Sequence, residues 1–389
     1  MASRRTTALV SALLLVGFPP AASAEQGVSN DRIVFGQAAP LEGPAAQLGL
    51  DMQAGIRAAF EEANRAGGVK GRKLDVVSVD DGYEPNKSIE ATKKLLDEHK
   101  VFALIGPVGT PTSAATQPIA LQAGVPFIGP FTGAEFLRNP FQPNVVNVRG
   151  SYFQETEEMV ERLTKDRGIT RISIFYQDDA FGRAGLAGVQ KALAKRNMEL
   201  ASEGTFERNT VAVKGALLSI QKGKPEAVIM VGPYKPSAEF IKLARQIKMD
   251  ALMVNISFVG SNALAKEAGA AGAGVVVTQV VPFPGDTSIP LVARYQAALK
   301  AVSPEAQPGF GTLEGYMVGR VAIAALEKIQ GEPTRRALLD TIFANTFDLG
   351  GVKLVYGAND NQGMDEVFLT IIQPDGSFRP ATSLKQTGG

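Results

Sequence analysis

Three observations predict an α/β fold of two doubly wound parallel-sheet lobes. The chain has 389 residues, more than one hydrophobic core usually serves. Short apolar segments alternate with amphipathic helical patterns almost throughout, as in parallel sheets covered by helices. Near residues 147–152 one set of these units gives way to a second set, so the chain has enough units for two sheets.

The first set of units runs from residue 32 to residue 130. Apolar residues recur at helical spacing in its helices, and Gly67-Gly68 is a typical helix stop. The predicted strands are 32–40, 73–82, 101–106 and 125–130, and the predicted helices are 48–68, 87–99 and the segment after the loop at 106.

The second set of units follows the same rule from residue 171 to residue 282. Its predicted strands are 171–179, 227–234, 252–258 and 274–282, and its predicted helices are 181–197, 238–248 and 261–269. After Pro282 the pattern changes, because the helices near 288–301 and 312–330 are not interleaved with clear strands. Segment 353–378 is predicted to hold two β segments joined by a polar turn, with another turn at Asp375-Gly376.

The first 24 residues predict a secretory signal. Arg4 and Arg5 precede the apolar stretch 8–18, and residues 22–24 form a small-residue cleavage site. The paired arginines leave general and twin-arginine export both open. The chain has no cysteine that could carry a lipid, and no later apolar run is long enough to span a bilayer. We therefore expect a freely diffusing periplasmic protein, cleaved near Ala24.

The charge of the chain gives no reason to expect nucleic acid or an anionic membrane as a partner. Residues 25–389 carry 40 − 2 = 38 Lys and Arg against 39 Asp and Glu, a formal charge of −1. Binding to such polyanions depends on an excess of basic residues.

The residue inventory argues against an enzyme, a metal site and a cofactor site. The single histidine, His99, is expected to be a solvated residue after a helix, and there is no cysteine. Ser-His-acid, Cys-His and zinc chemistry therefore lack their residues. Carboxylate catalysis stays open at Asp80-Asp81 and Asp178-Asp179, but both pairs stand where strands end and Asp commonly forms turns or caps helices.

The loop "GPVGTPTSAATQ" at 106–117 follows a predicted strand and precedes a helix. It lacks the Gly-Lys-Ser/Thr of a phosphate loop and the Gly-x-Gly-x-x-Gly of a dinucleotide loop. Free backbone amides at a helix start, together with small hydroxyls, suit a carboxylate or a polar head of similar size. We expect this loop to bind that end of a ligand.

Six segments in this order resemble the periplasmic solute-binding proteins of branched-chain (Leu/Ile/Val) amino-acid ABC transporters. They are "PLEGPAAQLG" (40–49), "EEANRAGGVKGRKLDVVSVDD" (61–81), "IGPVGTPTSAATQPIALQAGVPFIGP" (105–130), "FYQDDAFGRAGLAGVQKAL" (175–193), "VGPYKPSAEFIKLAR" (231–245) and "EGYMVGRVAIAAL" (314–326). The resemblance covers about residues 30–380.

The resemblance implies two lobes joined by three crossovers, with a ligand cleft between them. Residues 25–148 plus 279–352 would form the first lobe, and residues 149–278 plus 353–389 the second. It implies a monomer that binds a small amino acid or a related carboxylate or amide and delivers it to a membrane permease. The alternative is a ligand-sensing regulatory protein of the same fold, an amide or amino-acid sensor.

The resemblance also implies the ligand contacts. They are Gly109, Thr110, Ser113, Phe131, Thr132, Tyr152, Asp179, Phe181, Tyr234 and Phe258. The loop residues would hold the carboxylate, and Phe131 and Thr132 would border them. Tyr234 and Phe181 are favoured because they are expected on loops. The aromatic residues, with Phe153, would suit an apolar ligand body, although some are expected only to pack the lobe cores.

This sequence departs from the family pattern at three places. Phe258 stands where the acid that pairs with the ligand ammonium is expected, and Leu48 replaces an aromatic residue. Tyr83 and Gly109 stand at the positions of a frequent disulfide. Because a buried ammonium without a partner costs several kcal/mol, either Asp178, Asp179 or another acid replaces the missing one, or the ligand is not an ordinary α-amino acid.

Overall fold

The computed structural model describes residues 25–385. The predicted signal at 1–24 lies outside this range. No helix within it combines the length and the apolar character that a bilayer crossing requires.

The first lobe is built on a five-stranded parallel sheet of order β2-β1-β3-β4-β5. Its strands are β1 (Arg32–Ala39), β2 (Lys73–Asp80), β3 (Ala103–Ile105), β4 (Phe127–Ile128) and β5 (Val145–Val146). Its connecting helices are α1 (Ala46–Arg65), α2 (Pro85–Asp97) and α3 (Thr110–Gln122). β1 pairs with β2 over its whole length, from Arg32 with Lys73 to Ala39 with Asp80.

The second lobe begins with helix α4 (Tyr152–Glu161), which continues into a π-helical turn at Arg162–Asp166. Its parallel strands are β6 (Ile172–Gln177), β7 (Glu203–Phe206), β8 (Ala227–Val231), β9 (Leu252–Asn255) and β10 (Val276–Gln279). Its further helices are α5 (Ala180–Ala194), α6 (Lys214–Lys222), α7 (Tyr234–Gln246) and α8 (Ser261–Ala268).

The chain then returns to the first lobe with α9 (Pro290–Val302), α10 (Phe310–Lys328) and α11 (Arg335–Phe343). Helix α10 packs directly on α1, because Gly55 brings the backbones so close that a Cβ there would overlap the Thr312 carbonyl. The last strands are β11 (Thr346–Asp348), β12 (Lys353–Val355), β13 (Phe368–Ile372) and β14 (Phe378–Ala381).

The parallel-sheet prediction is correct for the first sheet and incomplete for the second. The second sheet has the order β14-β13-β10-β9-β8-β6-β7, and β13 and β14 are antiparallel. The two strands form a hairpin around the predicted turn, where Gly376 N donates to Gln373 O. A hairpin of this length reverses the chain, so it adds antiparallel strands to the sheet edge.

Two of the chain passages between the lobes run side by side. Asn147 N donates to Asn361 O at 2.7 Å, and Gly363 N donates to Asn147 O at 2.9 Å. β12, by contrast, pairs with β11. The lobe boundaries at 148/149, 278/279 and 352/353 stay predictions, and this pairing favours placing the third passage near 361–363.

Candidate ligand site between the lobes

The loop from β3 to α3 packs against Tyr83 at Gly109. Gly109 has a φ of 105°, and a Cβ at this position would overlap the ring of Tyr83. The Tyr83 ring is buried, and its hydroxyl oxygen accepts a hydrogen bond from Gln177 Nε2, at the end of β6, at 3.4 Å. The absence of a side chain at position 109 therefore lets Tyr83 reach the second lobe.

Three hydroxyl groups meet at the start of α3. Thr110 Oγ1 lies 2.7 Å from Thr132 Oγ1, and Thr132 Oγ1 donates to the Tyr152 hydroxyl at 3.3 Å. Tyr152 is fixed as the first residue of α4 by a capping box between Ser151 and Gln154. No side chain caps α3, so the positive end of this helix lies beside the hydroxyls.

Aromatic rings from both lobes cover the hydroxyl cluster. The centroid of Phe258 lies 4.5 Å from that of Phe181, 5.3 Å from that of Phe131 and 6.0 Å from that of Tyr83. Phe181 in turn lies 5.6 Å from Tyr152. All five rings are buried. We call these five residues the interlobe ring cluster.

The remaining predicted contacts take different places. Ser113 Oγ is buried in α3 and has no hydrogen-bond partner among residues 25–385. Tyr234 and Phe181 lie in the first turns of α7 and α5, so the expectation that they sit on loops is wrong. The Tyr234 hydroxyl accepts the Gln47 N–H at 3.4 Å, beside Leu48 and Gly260. Phe153 is half-buried under Lys191, whose Nζ is 4.7 Å from the ring centroid.

Asp179 is already engaged by neighbouring donors. Its Oδ1 accepts the Phe181 N–H at 2.9 Å and caps α5. Its Oδ2 accepts Gln177 Nε2 at 2.7 Å and Arg208 Nη1 at 2.9 Å. Arg208 also bridges to Glu84 of the first lobe at 2.9 Å. Asp179 therefore caps a helix and supports a contact between the lobes.

The other aspartates of the two pairs form turns and ion pairs. Asp80 Oδ1 accepts the N–H groups of Leu41 and Glu42, and Asp81 accepts the Tyr83 N–H and the Ser88 hydroxyl. Burial raises the pKa of Asp81 to about 6. Asp178 forms an exposed ion pair with Arg183. The interpretation as turn formers and caps is confirmed for Asp80, Asp81 and Asp179, whereas the Asp178 carboxylate pairs with Arg183 instead.

A comparison with known families matches residues 32–377 to the periplasmic binding protein family. The chain belongs to this family. The Leucine-, isoleucine-, valine-, threonine-, and alanine-binding protein of Pseudomonas aeruginosa is 26% identical over 355 residues, 89% of this chain and 90% of that one.

Solved structures place this periplasmic binding protein in the type I fold. A possible leucine/isoleucine/valine-binding protein from Rhodopirellula baltica is 37% identical with a TM-score of 0.87, over 93% of this chain and 98% of that one. A solute-binding protein from R. palustris, solved with benzoate, has a TM-score of 0.80 at 22% identity, over 90% of this chain and 95% of that one.

Three buried charged residues of this periplasmic binding protein, Arg149, Glu155 and Glu314, escaped the sequence analysis. Arg149 is fully buried where the chain leaves the first lobe, with its guanidinium carbon 5.0 Å from the Phe131 centroid and 5.9 Å from the Tyr152 centroid. Its Nη2 donates to Ser257 Oγ and Glu155 Oε1, and its Nε lies 3.7 Å from Glu314 Oε1. Its only sequence signal is its place in "NVRGSY", where the predicted lobes meet.

Proposed function

We propose that this protein is the substrate-binding component of an ABC importer in the periplasm, and that it is a monomer and not an enzyme. It would bind a small carboxylate or amide between its lobes and deliver it to a membrane permease. The observation that carries the proposal is the hydroxyl cluster at the start of α3, enclosed by the interlobe ring cluster. Membership of a family of binding proteins supports it.

The polar end of the ligand would lie at Thr110 and Thr132. Their hydroxyls and the uncapped start of α3 supply donors and a positive dipole end without a buried lysine. Ser113 Oγ adds a buried polar atom that has no hydrogen-bond partner within residues 25–385. Such an atom is expected to gain a hydrogen bond when a ligand binds.

The apolar end of the ligand would lie among the rings. Phe131 belongs to the first lobe and Phe181 and Phe258 to the second, so a ligand placed among them touches both lobes. Separation of the lobes would expose the rings to water and admit the ligand. Closure of the lobes would bury the rings and the ligand, and the permease would recognise this closed form.

The ionic contacts favour a ligand without an ordinary α-ammonium group. Phe258 carries no negative charge for an ion pair with an ammonium, Asp179 is engaged by Arg208, and Asp178 is exposed with Arg183. The two aspartates that could replace the missing acid are therefore engaged elsewhere, and the other buried acids nearby, Glu155 and Glu314, are paired with Arg149.

A thermal-shift screen tests the proposal. The panel contains amino acids, aromatic acids such as benzoate, short amides and keto acids. We expect at least one class to stabilise the protein in a saturable manner with one site per chain and no product formed. No stabilisation by any class would contradict the assignment.

Two variants test where the ligand binds. Thr110→Ala and Tyr234→Ala should weaken binding by about 1 kcal/mol or more, since each removes a hydrogen-bonding group. Thr287→Ala, at an exposed position, is the matched control. If neither variant weakens binding, the site is misplaced.

A further inference from the structure

Arg149 is a buried cation whose donors are only partly used. Its guanidinium carries five N–H groups, and Nη2 is the nitrogen that donates to Ser257 and Glu155. Nε and Nη1 have no hydrogen-bond partner within the described residues. Leaving buried donors of a charged group unpaired is costly, so these N–H groups mark a place for an acceptor.

The guanidinium group of Arg149 lies beside the proposed ligand site. The Arg149 guanidinium packs against Phe131 and Tyr152. The Tyr152 hydroxyl belongs to the hydroxyl cluster through Thr132 and Thr110, and Phe131 belongs to the interlobe ring cluster. The same two side chains therefore contact both the cation and the groups expected to hold the ligand.

A second arginine adds positive charge at this place. Arg138 donates to the carbonyl oxygens of Ala134, Thr132 and Arg149 and to Gln362 Oε1. Within residues 25–385 no carboxylate forms an ion pair with it.

The two acids that face Arg149 differ in how they are held. Glu155 accepts hydrogen bonds from Ser257 N at 2.9 Å and from the hydroxyls of Ser257 and Thr278. Glu314 lies 3.7 Å from Arg149 Nε, and burial raises its pKa to about 7 despite the attraction of that arginine. Glu155 is therefore held by several donors, whereas Glu314 is held to Arg149 by the longer Nε contact.

We propose that Arg149 adds to the Thr110 and Thr132 hydroxyls by binding the same ligand carboxylate through its unpaired N–H groups, so that the site selects organic monocarboxylates that lack an α-amino group. This inference rests on the proposed function and narrows its ligand class. A carboxylate is the acceptor that gains most from a buried guanidinium, because charge-assisted hydrogen bonds are about twice as strong as neutral ones. An amide of the same shape gains less, and an amino acid must also bury an ammonium for which Phe258 supplies no acid.

Matched ligands separate this inference from the proposed function. The probes are benzoate with benzamide, 3-phenylpropanoate with its amide and with phenylalanine, and 4-methylpentanoate with its amide and with leucine. Isothermal titration at pH 8 should show that the best acid binds about ten-fold or more tightly than its amide and its α-amino relative. Equal affinities would overturn the inference and leave the proposed function standing, whereas no binding by any acid would overturn both.

Two variants should change acid binding in opposite directions. Arg149→Lys keeps a positive charge for Glu155 but loses the Nε and Nη1 donors, so acids should bind about ten-fold more weakly while amides change little. Glu314→Gln removes a carboxylate that repels the ligand at pH 8, so acids should bind at least about three-fold more tightly. Arg336→Gln, exposed on α11, is the control and should change neither affinity.

Circular dichroism verifies that each variant is folded. If Arg149→Lys does not fold, the Glu314→Gln variant decides alone. A higher ratio of acid affinity to amide affinity than in the wild type supports the inference, and an unchanged ratio overturns it.

Discussion

Two ionic networks connect the lobes, and they differ in their contact with water. In the first network, where the chain leaves the first lobe, Arg149 faces Glu155 and Glu314. These three side chains are at most 4% exposed. At the second network, Arg208 lies 2.9 Å from both Glu84 and Asp179, with 23% of its own side chain and 38% of Glu84 exposed. Asn209 Nδ2 adds a bond to Glu84 at 2.7 Å.

The difference indicates different tasks for the two networks. Charges without access to water must keep their partners, because an uncompensated buried charge is very unfavourable. Charges at the surface exchange protein partners for water at little cost. The Arg149 network should therefore hold the passage between the lobes in place, whereas the Arg208 network can break and re-form when the lobes move.

The largest effect is expected from Arg149→Met. The variant leaves Glu155 and Glu314 buried without their cation, so the free energy of unfolding should fall by about 3–5 kcal/mol. Urea denaturation followed by circular dichroism measures this loss. A loss below about 1 kcal/mol would show that the buried network is not structural.

Glu314→Gln should change how stability depends on pH. Burial raises the pKa of Glu314 from its ordinary 4.5 to about 7, which disfavours the ionised form in the folded protein. Its stabilising contribution is therefore complete below pH 4.5 and is lost as the pH rises through about 7, a loss of about 3 kcal/mol. Urea denaturation at pH 4.5, 6 and 8 should show that the free energy of unfolding falls less with rising pH in the variant than in the wild type. Identical declines would contradict the raised pKa.

Arg208→Ala should have the smallest effect on stability. The bridge to Glu84 is partly exposed, so its loss should cost less than about 1 kcal/mol. Because the bridge holds the lobes together, ligand dissociation measured by surface plasmon resonance should become a few-fold faster. A stability loss as large as that of Arg149→Met would remove the distinction between the two networks.

The sequence was sufficient for the fold where a local pattern determined the structure. The alternation of strands and helices predicted both sheets, and His99 is exposed after α2 as expected. Helices α4, α6 and α11 were not predicted, since short helices rely on tertiary packing more than on their own sequence. The antiparallel addition of β13 and β14 depends on where the chain returns, which periodicity does not specify.

The sequence also predicted part of the candidate site, but not its buried arginine. The loop at 106–117 and the resemblance brought Thr110, Thr132, Tyr152 and three phenylalanines into one list, and the structure brings these residues together. Arg149 was missed because arginine is usually exposed. Its burial depends on Glu314, an acid on the distant helix α10. A single sequence does not reveal such pairs.

We infer that the ligand binds to the hydroxyl cluster between the lobes. Isothermal titration of the Thr110→Val, Thr132→Val double variant with the tightest-binding acid of the panel tests it most directly, because valine keeps the shape of threonine and removes only the hydroxyl. We expect one site per chain in the wild type and an affinity at least about ten-fold lower in the variant. An unchanged affinity would contradict it.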